Sequence, residues 1–132
     1  MEWIDRISLD QIKRLSSEDF ERLRDYWGDP LKFDIAVHIP DEHFFAVEKA
    51  DWEEGHTDFY LYELGTNKKY NYDDCFPLYS SGQLMSIMGL SSLTVISLHE
   101  AWAIQSCGSL LIKEDMTLPD ALFEVFRDVF VL

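Results

Sequence analysis

Eleven residues in the middle of the chain, Glu48 to Asp58, hold its densest group of side chains that could do chemistry. This run, EKADWEEGHTD, contains five carboxylates, one lysine, one tryptophan and one histidine. Carboxylates this close together could hold a hard cation, act as catalytic acids, or form a surface that attracts a basic partner. Each possibility requires different neighbouring residues, and the sequence can be tested for them.

A metal site needs several ligands at a usable spacing, and the chain contains two incomplete patterns. The carboxylates of the run, together with His56, lack the alternating oxygen ligands and the central glycine of a calcium loop. His99 and Glu100 begin like the zinc motif HExxH, but Ala103 stands where the second histidine is required. The sequence therefore predicts no metal and no cofactor, and it favours a solvated acidic segment.

Nucleophilic catalysis would need a cysteine or serine that a neighbouring base activates. Cys107 precedes Gly108 in a predicted turn, where a thiol could be presented, but no histidine stands at a diagnostic spacing from it. The chain contains neither GxGxxG nor a GKS/T phosphate loop. A small enzyme that uses Cys107, or the carboxylates Asp51, Glu53 and Glu54, is therefore the alternative hypothesis.

The charge of the chain is strongly acidic and unevenly distributed. There are 25 acidic residues against 11 basic ones, a formal net charge of -14. Residues 33–63 contain nine acids and a single base, Lys49. Such a field repels nucleic acids and anionic membranes and attracts basic protein surfaces. The competing interpretation is that the acidity only keeps the protein soluble.

Aromatic side chains adjoin the acidic run. In the segment FYLYEL, Phe59 and Leu61 point to one side of a strand while Tyr60 and Tyr62 point to the other. Unless helices cover both sides, some rings remain near solvent, where tyrosine and tryptophan suit a protein interface. The predicted partner-binding residues are Glu48, Asp51, Trp52, Glu53, Glu54, Asp58, Tyr60, Tyr62, Tyr70, Tyr72, Asp73 and Asp74.

Helical patterns occupy the two ends of the chain. Ser8 and Gln11 have the spacing of a capping box at the start of a first helix. A second helix is predicted to end at Gly28 and to direct Arg24 to solvent, and its many acids argue against binding to DNA. A short helix over 82–88, capped by Ser80 or Ser81, and a C-terminal amphipathic helix capped by Thr117 complete the set.

The middle of the chain has the period of β-structure. The residues Phe33, Ile35, Val37 and Ile39 alternate as the inward side of a first strand. A hairpin follows, and a three-residue loop would place Tyr62 opposite Tyr72. The predicted strands are 33–39, 44–47, 58–64, 69–72, 93–98, 101–106 and 110–113, of which 93–98 is also compatible with a buried helix.

These patterns predict one α+β domain over residues 1–132. Its N-terminal helices precede an antiparallel meander of about five to six strands, and a C-terminal amphipathic helix packs on the sheet. The acidic N-terminus lacks the pattern of a signal peptide, and no apolar stretch is long enough to span a bilayer, so a cytoplasmic protein with free thiols at Cys75 and Cys107 is expected.

The function expected from these features is inhibitory binding. A small acidic protein with surface aromatics is suited to dock on a basic surface of a nuclease or another nucleic-acid-binding protein. Two settings fit equally well: an immunity protein that masks a toxin nuclease, and a phage-encoded inhibitor, such as an anti-CRISPR, that acts on a CRISPR effector. Direct binding to nucleic acid or membrane is not expected.

Overall fold

The fold is α+β, as the sequence predicts. The computed structural model describes residues 5–53, 55, 57–66, 68–89, 93–106 and 109–130. The α-helices within these residues are α1 (Leu9–Lys13), α2 (Ser17–Asp25), α3 (Ser81–Met88) and α4 (Leu118–Phe130). The strands are β1 (Ile35–His38), β2 (His43–Trp52), β3 (Phe59–Glu63), β4 (Lys69–Asn71), β5 (Cys75–Pro77), β6 (Leu93–Leu98), β7 (Ala101–Ser106) and β8 (Ser109–Glu114).

The strands form two antiparallel sheets rather than one meander. One sheet has the order β4-β3-β2-β1-β5 and the other has the order β6-β7-β8. The chain divides into two compact units, the first made of residues 1–23 and 79–132 and the second of residues 24–78. Among the described residues, no helix is both long and apolar enough to cross a membrane.

The first unit is built around α4. This helix packs on β7, as predicted for the C-terminal helix, and it also contacts α1 and α3. Leu122 and Phe126 of α4 and Ile104 of β7 are fully buried. The backbone N–H of Asp120 donates to Thr117 Oγ1 at 3.4 Å, so the predicted cap of α4 is confirmed.

The starts of α1 and α3 have different outcomes. At α3 a cap is predicted at Ser80 or Ser81. The cap is confirmed at Ser80, which forms a complete capping box with Gln83. At α1 the predicted capping box is wrong, because the Ser8 side chain accepts no capping hydrogen bond. Instead the Ser8 N–H donates to Asp120 Oδ1 at 2.7 Å, and Gln11 Nε2 donates to Glu124 Oε2 at 2.9 Å. Gln11 is buried, and its side-chain N–H group is bonded to α4 rather than to the N-terminus of its own helix.

The second unit contains a meander of four strands whose far edge is extended by β5. The chain passes from β4 to β5 through a 3-10 turn, η2 (Tyr72–Asp74), and β5 pairs with β1. The predicted hairpin register is wrong, since Tyr62 lies opposite Lys69 and Tyr72 lies in η2. The Glu63 N–H donates to the Lys68 carbonyl at 3.0 Å, which closes a longer loop than the three residues expected.

The burial of β1 also differs from its predicted alternation. Phe33, expected to face the core, precedes the strand and is 63% exposed. Its φ of 75° lies in the left-handed region, so Phe33 cannot be part of an extended strand, and β1 begins only at Ile35. Ala36 and Val37 point to opposite sides of the sheet and are both fully buried, because both sides of β1 are covered.

A bulge divides β2 into two parts. Val47 pairs with Glu63 while Lys49 pairs with Tyr62, so Glu48 is an additional residue on this strand. Beyond a one-residue bulge the side chains of a strand alternate in the opposite phase. Ala50 and Trp52 therefore lie on the same side as Val47, and Asp51 lies on the other side with Tyr60. The strand continues to Trp52, well into the run expected to be a solvated loop.

The hydroxyl of Tyr79 provides a test of the first unit. Both Tyr79 and Leu23 are buried, and Tyr79 Oη donates to the Leu23 carbonyl at 2.6 Å. We expect Tyr79→Phe to lower the free energy of unfolding in urea by about 1–3 kcal/mol, because it leaves a buried acceptor unsatisfied. Tyr60→Phe, at a partly exposed ring, is the matched control and should change it by less than about 0.5 kcal/mol. Equal losses in the two variants would contradict this role.

Candidate binding surface

Three strand ends bring acidic residues together in the second unit. β2 ends at Trp52, β3 begins at Phe59 and β4 ends at Asn71, all at one end of the antiparallel sheet. The Glu53 N–H donates to the Asp58 carbonyl at 2.7 Å, which continues the β2–β3 ladder. The turn η2 contacts β3. We call this group of carboxylates the acidic end: Asp51, Glu53, Asp58, Asp73 and Asp74.

Four aromatic rings beside the acidic end contact one another in a row. We call them the aromatic row: Trp52, Phe59, Tyr72 and Trp27. The centroid distances are 5.1 Å from Trp52 to Phe59, 5.5 Å from Phe59 to Tyr72, and 6.0 Å from Tyr72 to Trp27. Trp27 is only 9% exposed, whereas Trp52 is 52% exposed. The row thus extends from a buried ring to an exposed one, and its packing restrains the exposed Trp52 ring.

Arg24 is buried beside the Tyr72 ring of the aromatic row, so the prediction that it faces solvent is wrong. Its Nη1 donates to the Asp73 carbonyl at 3.1 Å, and its guanidinium carbon lies 4.8 Å from the centre of the Tyr72 ring. Arg24 is 7% exposed, and its Nε lies 3.5 Å from the Asp25 carboxylate. Its long apolar stem allows the residue to be buried, while a carbonyl, a ring face and a carboxylate stabilise its charge.

The four predicted tyrosines are divided between the two sides of the sheet. Tyr60 and Tyr62 project on the side opposite the aromatic row. Lys69 Nζ lies 4.3 Å from the centre of the Tyr60 ring, and Lys49 Nζ lies 4.9 Å from that of Tyr62. These two tyrosines are therefore partly covered by lysines of their own unit, whereas Tyr70 and Tyr72 belong to the other side.

Two exposed apolar residues were not among the predicted binding residues. Leu31 is 65% exposed and Phe33 is 63% exposed. The Phe33 N–H donates to the Val47 carbonyl at 2.8 Å, and Lys32 Nζ lies 3.5 Å from Glu48 Oε1, so this segment lies beside the bulge of β2. The exposure of Phe33 was missed because the alternation of residues 33–39 places it on the inward side of the predicted strand.

The remaining predicted residues have mixed outcomes. Glu48 is the bulge residue and is paired with Lys32, and Glu53 Oε1 lies 3.8 Å from Lys69 Nζ. Glu54 lies outside the described residues, as do His56 and Cys107. Within the described ranges, no group of three or more histidines, cysteines and acids is placed to hold a metal ion.

A second polar group, not found from the sequence, lies on the same side of the sheet as the aromatic row. We call it the histidine–carboxylate cluster: His38, Asp41, His43, Glu63 and Tyr70. His43 Nε2 lies 2.7 Å from Glu63 Oε1, to which Tyr70 Oη donates at 3.0 Å. His38 Nδ1 lies 2.8 Å from Asp41 Oδ1. The pairing of His38 with His43 across β1 and β2 assembles the cluster, and no sequence spacing reveals it.

These contacts shift the ionisation of the cluster. Burial and the hydrogen bond to Glu63 raise the pKa of Tyr70 to about 12, so its hydroxyl remains a donor at neutral pH. Burial opposes ionisation of Glu63, but hydrogen bonds from His43 and Tyr70 outweigh it and lower the pKa of this carboxyl. The hydrogen bond with His38 lowers the pKa of Asp41. Two ionised carboxylates are therefore favoured in this cluster.

Cys75 is the cysteine that the described residues include, and it is fully buried as a free thiol. Burial and the nearby charge of Asp74 raise its pKa to about 12. A thiol with so high a pKa supplies very little thiolate at neutral pH and is a poor nucleophile.

Comparison of the chain with protein-family models, with curated proteins and with solved structures finds no match.

The ionisation of Glu63 gives a test of the histidine–carboxylate cluster. The pKa of Glu63 in the folded protein lies below its ordinary value of 4.5. The stability that the ionised carboxylate contributes is therefore present above pH 4.5 and is lost as the pH falls through the folded pKa. We expect Glu63→Gln to lower the free energy of unfolding by about 1 kcal/mol at neutral pH and by much less near pH 3.

The measurement is urea unfolding across this pH range. Glu21→Gln, at an exposed position of α2, is the control and should show no such pH-dependent difference from the wild type. A Glu63→Gln difference that stays constant from neutral pH to about pH 3 would rule out the proposed ionisation.

Proposed function

We propose that this chain is an acidic inhibitory protein that docks on a basic, nucleic-acid-binding or nuclease surface of a partner protein. The observation that carries the proposal is Trp52, which is 52% exposed, packed on Phe59 and flanked in the chain by Asp51 and Glu53. Trp52 offers an apolar anchor on one side of the sheet, and the carboxylates of the acidic end, with Asp51 on the other side, attract cations to the same strand ends.

The charge of the second unit supports a basic partner. Residues 24–78 contain thirteen acids and five bases. Arg24 is buried, Lys32 and Lys69 lie near carboxylates of the unit, and Lys49 lies over Tyr62. These four cations are thus engaged internally. Exposed carboxylates, among them Asp51 and the pair Asp73 and Asp74, remain to attract cations of a partner, which raises the rate of encounter.

Phe33 supplies a second exposed ring. It lies beside the bulge of β2, and Trp52 lies four residues farther along that strand, a spacing of about 14 Å at 3.4 Å per residue. A bulky side chain at positive φ costs about 1–2 kcal/mol, and such strain is often found at functional positions. Two aromatic anchors at this spacing fit an interface of ordinary size.

The proposed mode of inhibition is competition with nucleic acid. A protein surface that binds phosphates is lined by lysine and arginine, which the carboxylates of the acidic end could pair with instead. An immunity protein for a toxin nuclease and a phage-encoded inhibitor such as an anti-CRISPR share this mode. Identification of the partner distinguishes the two settings, and an oligonucleotide should displace the inhibitor in both.

The acidic end gives a kinetic test. The partner is first captured from the native host on the immobilised protein, and its binding is then followed by surface plasmon resonance. We expect the triple variant Asp51→Asn, Glu53→Gln, Asp58→Asn to lower the association rate constant about tenfold at low salt, because steering charges act mainly on encounter. The difference should shrink at high salt, where exposed charges are screened.

The control variant removes three exposed acids from the first unit: Asp10→Asn, Glu18→Gln and Glu21→Gln. It has the same net charge as the triple variant but leaves the acidic end intact, so its association rate constant should stay within about twofold of the wild type. The proposal fails if both variants lose the same association rate, or if an excess of oligonucleotide leaves the complex intact.

The two exposed rings give a separate test by dissociation. We expect Trp52→Ala to raise the dissociation rate constant about tenfold or more at any salt concentration, because buried anchors hold an interface together. Phe33→Gly should also speed dissociation while leaving the free energy of unfolding unchanged or higher, since glycine relieves the strain at positive φ. Unchanged dissociation in both variants would exclude these rings from the interface.

A further inference from the structure

One side of the three-stranded sheet in the first unit is apolar and exposed. The other side is covered by α4, and Ile104 of β7 is fully buried there. The pairing of the strands places four large apolar residues on the exposed side, two from β6 and two from β8. These residues, with their exposed fractions, are Ile96 (52%), Leu98 (45%), Leu110 (63%) and Ile112 (57%).

The sizes of the side chains give this surface the shape of a groove. Ala103 of the central strand β7 lies between Ile96 and Ile112, and Ala101 follows it on the same side. Two ridges of isoleucine and leucine thus flank a floor that consists of alanine at positions 101 and 103 and of the exposed Gln105 beside Leu110. Adjacent strands are about 4.8 Å apart, so the backbones of β6 and β8 are about 10 Å apart. The gap between the ridge side chains is narrower than an α-helix, and it admits the side chains of one helix face rather than the whole helix.

One end of the groove is acidic. Glu100 and Asp115 lie in the connections at this end, and Glu114 ends β8 on the apolar side; all three are exposed. We call them the carboxylate rim. An open depression of about 340 Å³ at this end of the sheet is lined by Glu100 and Asp115 but also by Ser97 and Trp102, so it extends toward the side that carries α4 and is distinct from the groove. Lys113 projects to the opposite side, where it pairs with Glu124 and Asp128 of α4.

We propose that this groove binds an amphipathic helix of a partner protein, with an apolar stripe between the ridges and lysine or arginine at the end over the carboxylate rim. The apolar stripe of such a helix fits between the ridges, and its basic end matches the rim in charge. This proposal does not depend on the proposed function, because it uses the first unit and none of the residues of the acidic end or the aromatic row.

Area and charge disfavour two other occupants. The exposed side measures about 14 Å by 17 Å, roughly 240 Å², whereas a stable interface buries about 800 Å² on each partner. Two copies joined through this surface would also bring together chains of net charge -14. Anionic lipid headgroups would be repelled by the carboxylate rim. A helix that lies along the groove buries its apolar stripe between the ridges and gains ion pairs at its end.

The test uses a synthetic probe. It is a helical peptide of about 14 residues with leucine at helical spacing and two lysines at its C-terminus, where cations also favour the helix dipole. One control peptide has two glutamates in place of the lysines, and another has the same composition in scrambled order. We expect the lysine peptide to bind the wild-type protein about tenfold more tightly than either control, as measured by fluorescence anisotropy at low salt.

Variants of the groove then locate the binding. The double variant Ile96→Thr, Ile112→Thr keeps β-branched residues in both strands and should weaken binding of the lysine peptide about tenfold. Leu31→Ser removes an equally exposed leucine from the second unit and should leave the affinity unchanged. Glu114→Gln with Asp115→Asn should reduce the preference for lysine over glutamate.

Several results would overturn the proposal. The first is the absence of wild-type binding, and the second is equal affinity in the threonine double variant. A concentration-dependent dimer in sedimentation velocity that the double variant abolishes would assign the surface to a second copy. Cosedimentation with phosphatidylcholine vesicles that the double variant abolishes would assign it to lipid. If circular dichroism shows that the double variant is unfolded, Leu110→Gln, at the most exposed of the four positions, replaces it.

Discussion

The bulge at Glu48 is the constraint on which the candidate binding surface depends. One additional residue in β2 inverts the side to which every later side chain of the strand points. Without it, Trp52 would project on the side of Tyr60 and Tyr62 and would not meet Phe59. The bulge thus separates an aromatic row on one side of the sheet from Asp51 on the other. It also lies beside Phe33, whose N–H bonds the Val47 carbonyl.

Most of the basic side chains in the second unit contact rings or carboxylates of the same unit, and these contacts determine which charges remain on its surface. Arg24 lies on Tyr72, Lys49 on Tyr62 and Lys69 on Tyr60. Each such contact contributes about 0.5–1 kcal/mol at an exposed site and more where the cation is desolvated. These rings, together with the carboxylates of Glu48 and Glu53, engage the basic side chains of the unit, and exposed carboxylates remain in excess. Charge and aromatic packing are therefore parts of one arrangement.

The two units present surfaces of different chemistry. In the second unit, the exposed Trp52 ring lies at the same strand ends as the acidic end, with Asp51 on the other side of the sheet. The polar histidine–carboxylate cluster lies on the same side of the sheet as the aromatic row. In the first unit, the exposed groove is apolar with carboxylates only at its end. Apolar surfaces contribute affinity through burial, whereas exposed charges mainly set the encounter rate and the selection of partners. Cations are the charge that both surfaces would select.

The sequence by itself determined the features that depend on neighbouring residues. The cap at Thr117, a cap of α3 at Ser80 or Ser81, the amphipathic α4, the α+β class and the net charge of -14 all follow from residue type and short-range spacing. Features that depend on strand pairing were decided only by the tertiary structure. A step of three between the apolar residues Val47 and Ala50 marks the bulge, but the same spacing also fits a loop. The register that joins His38 to His43 is set by the turn between β1 and β2, and the alternation of either strand does not encode it. The burial of Arg24 and the exposure of Phe33 arise from contacts with segments farther along the chain.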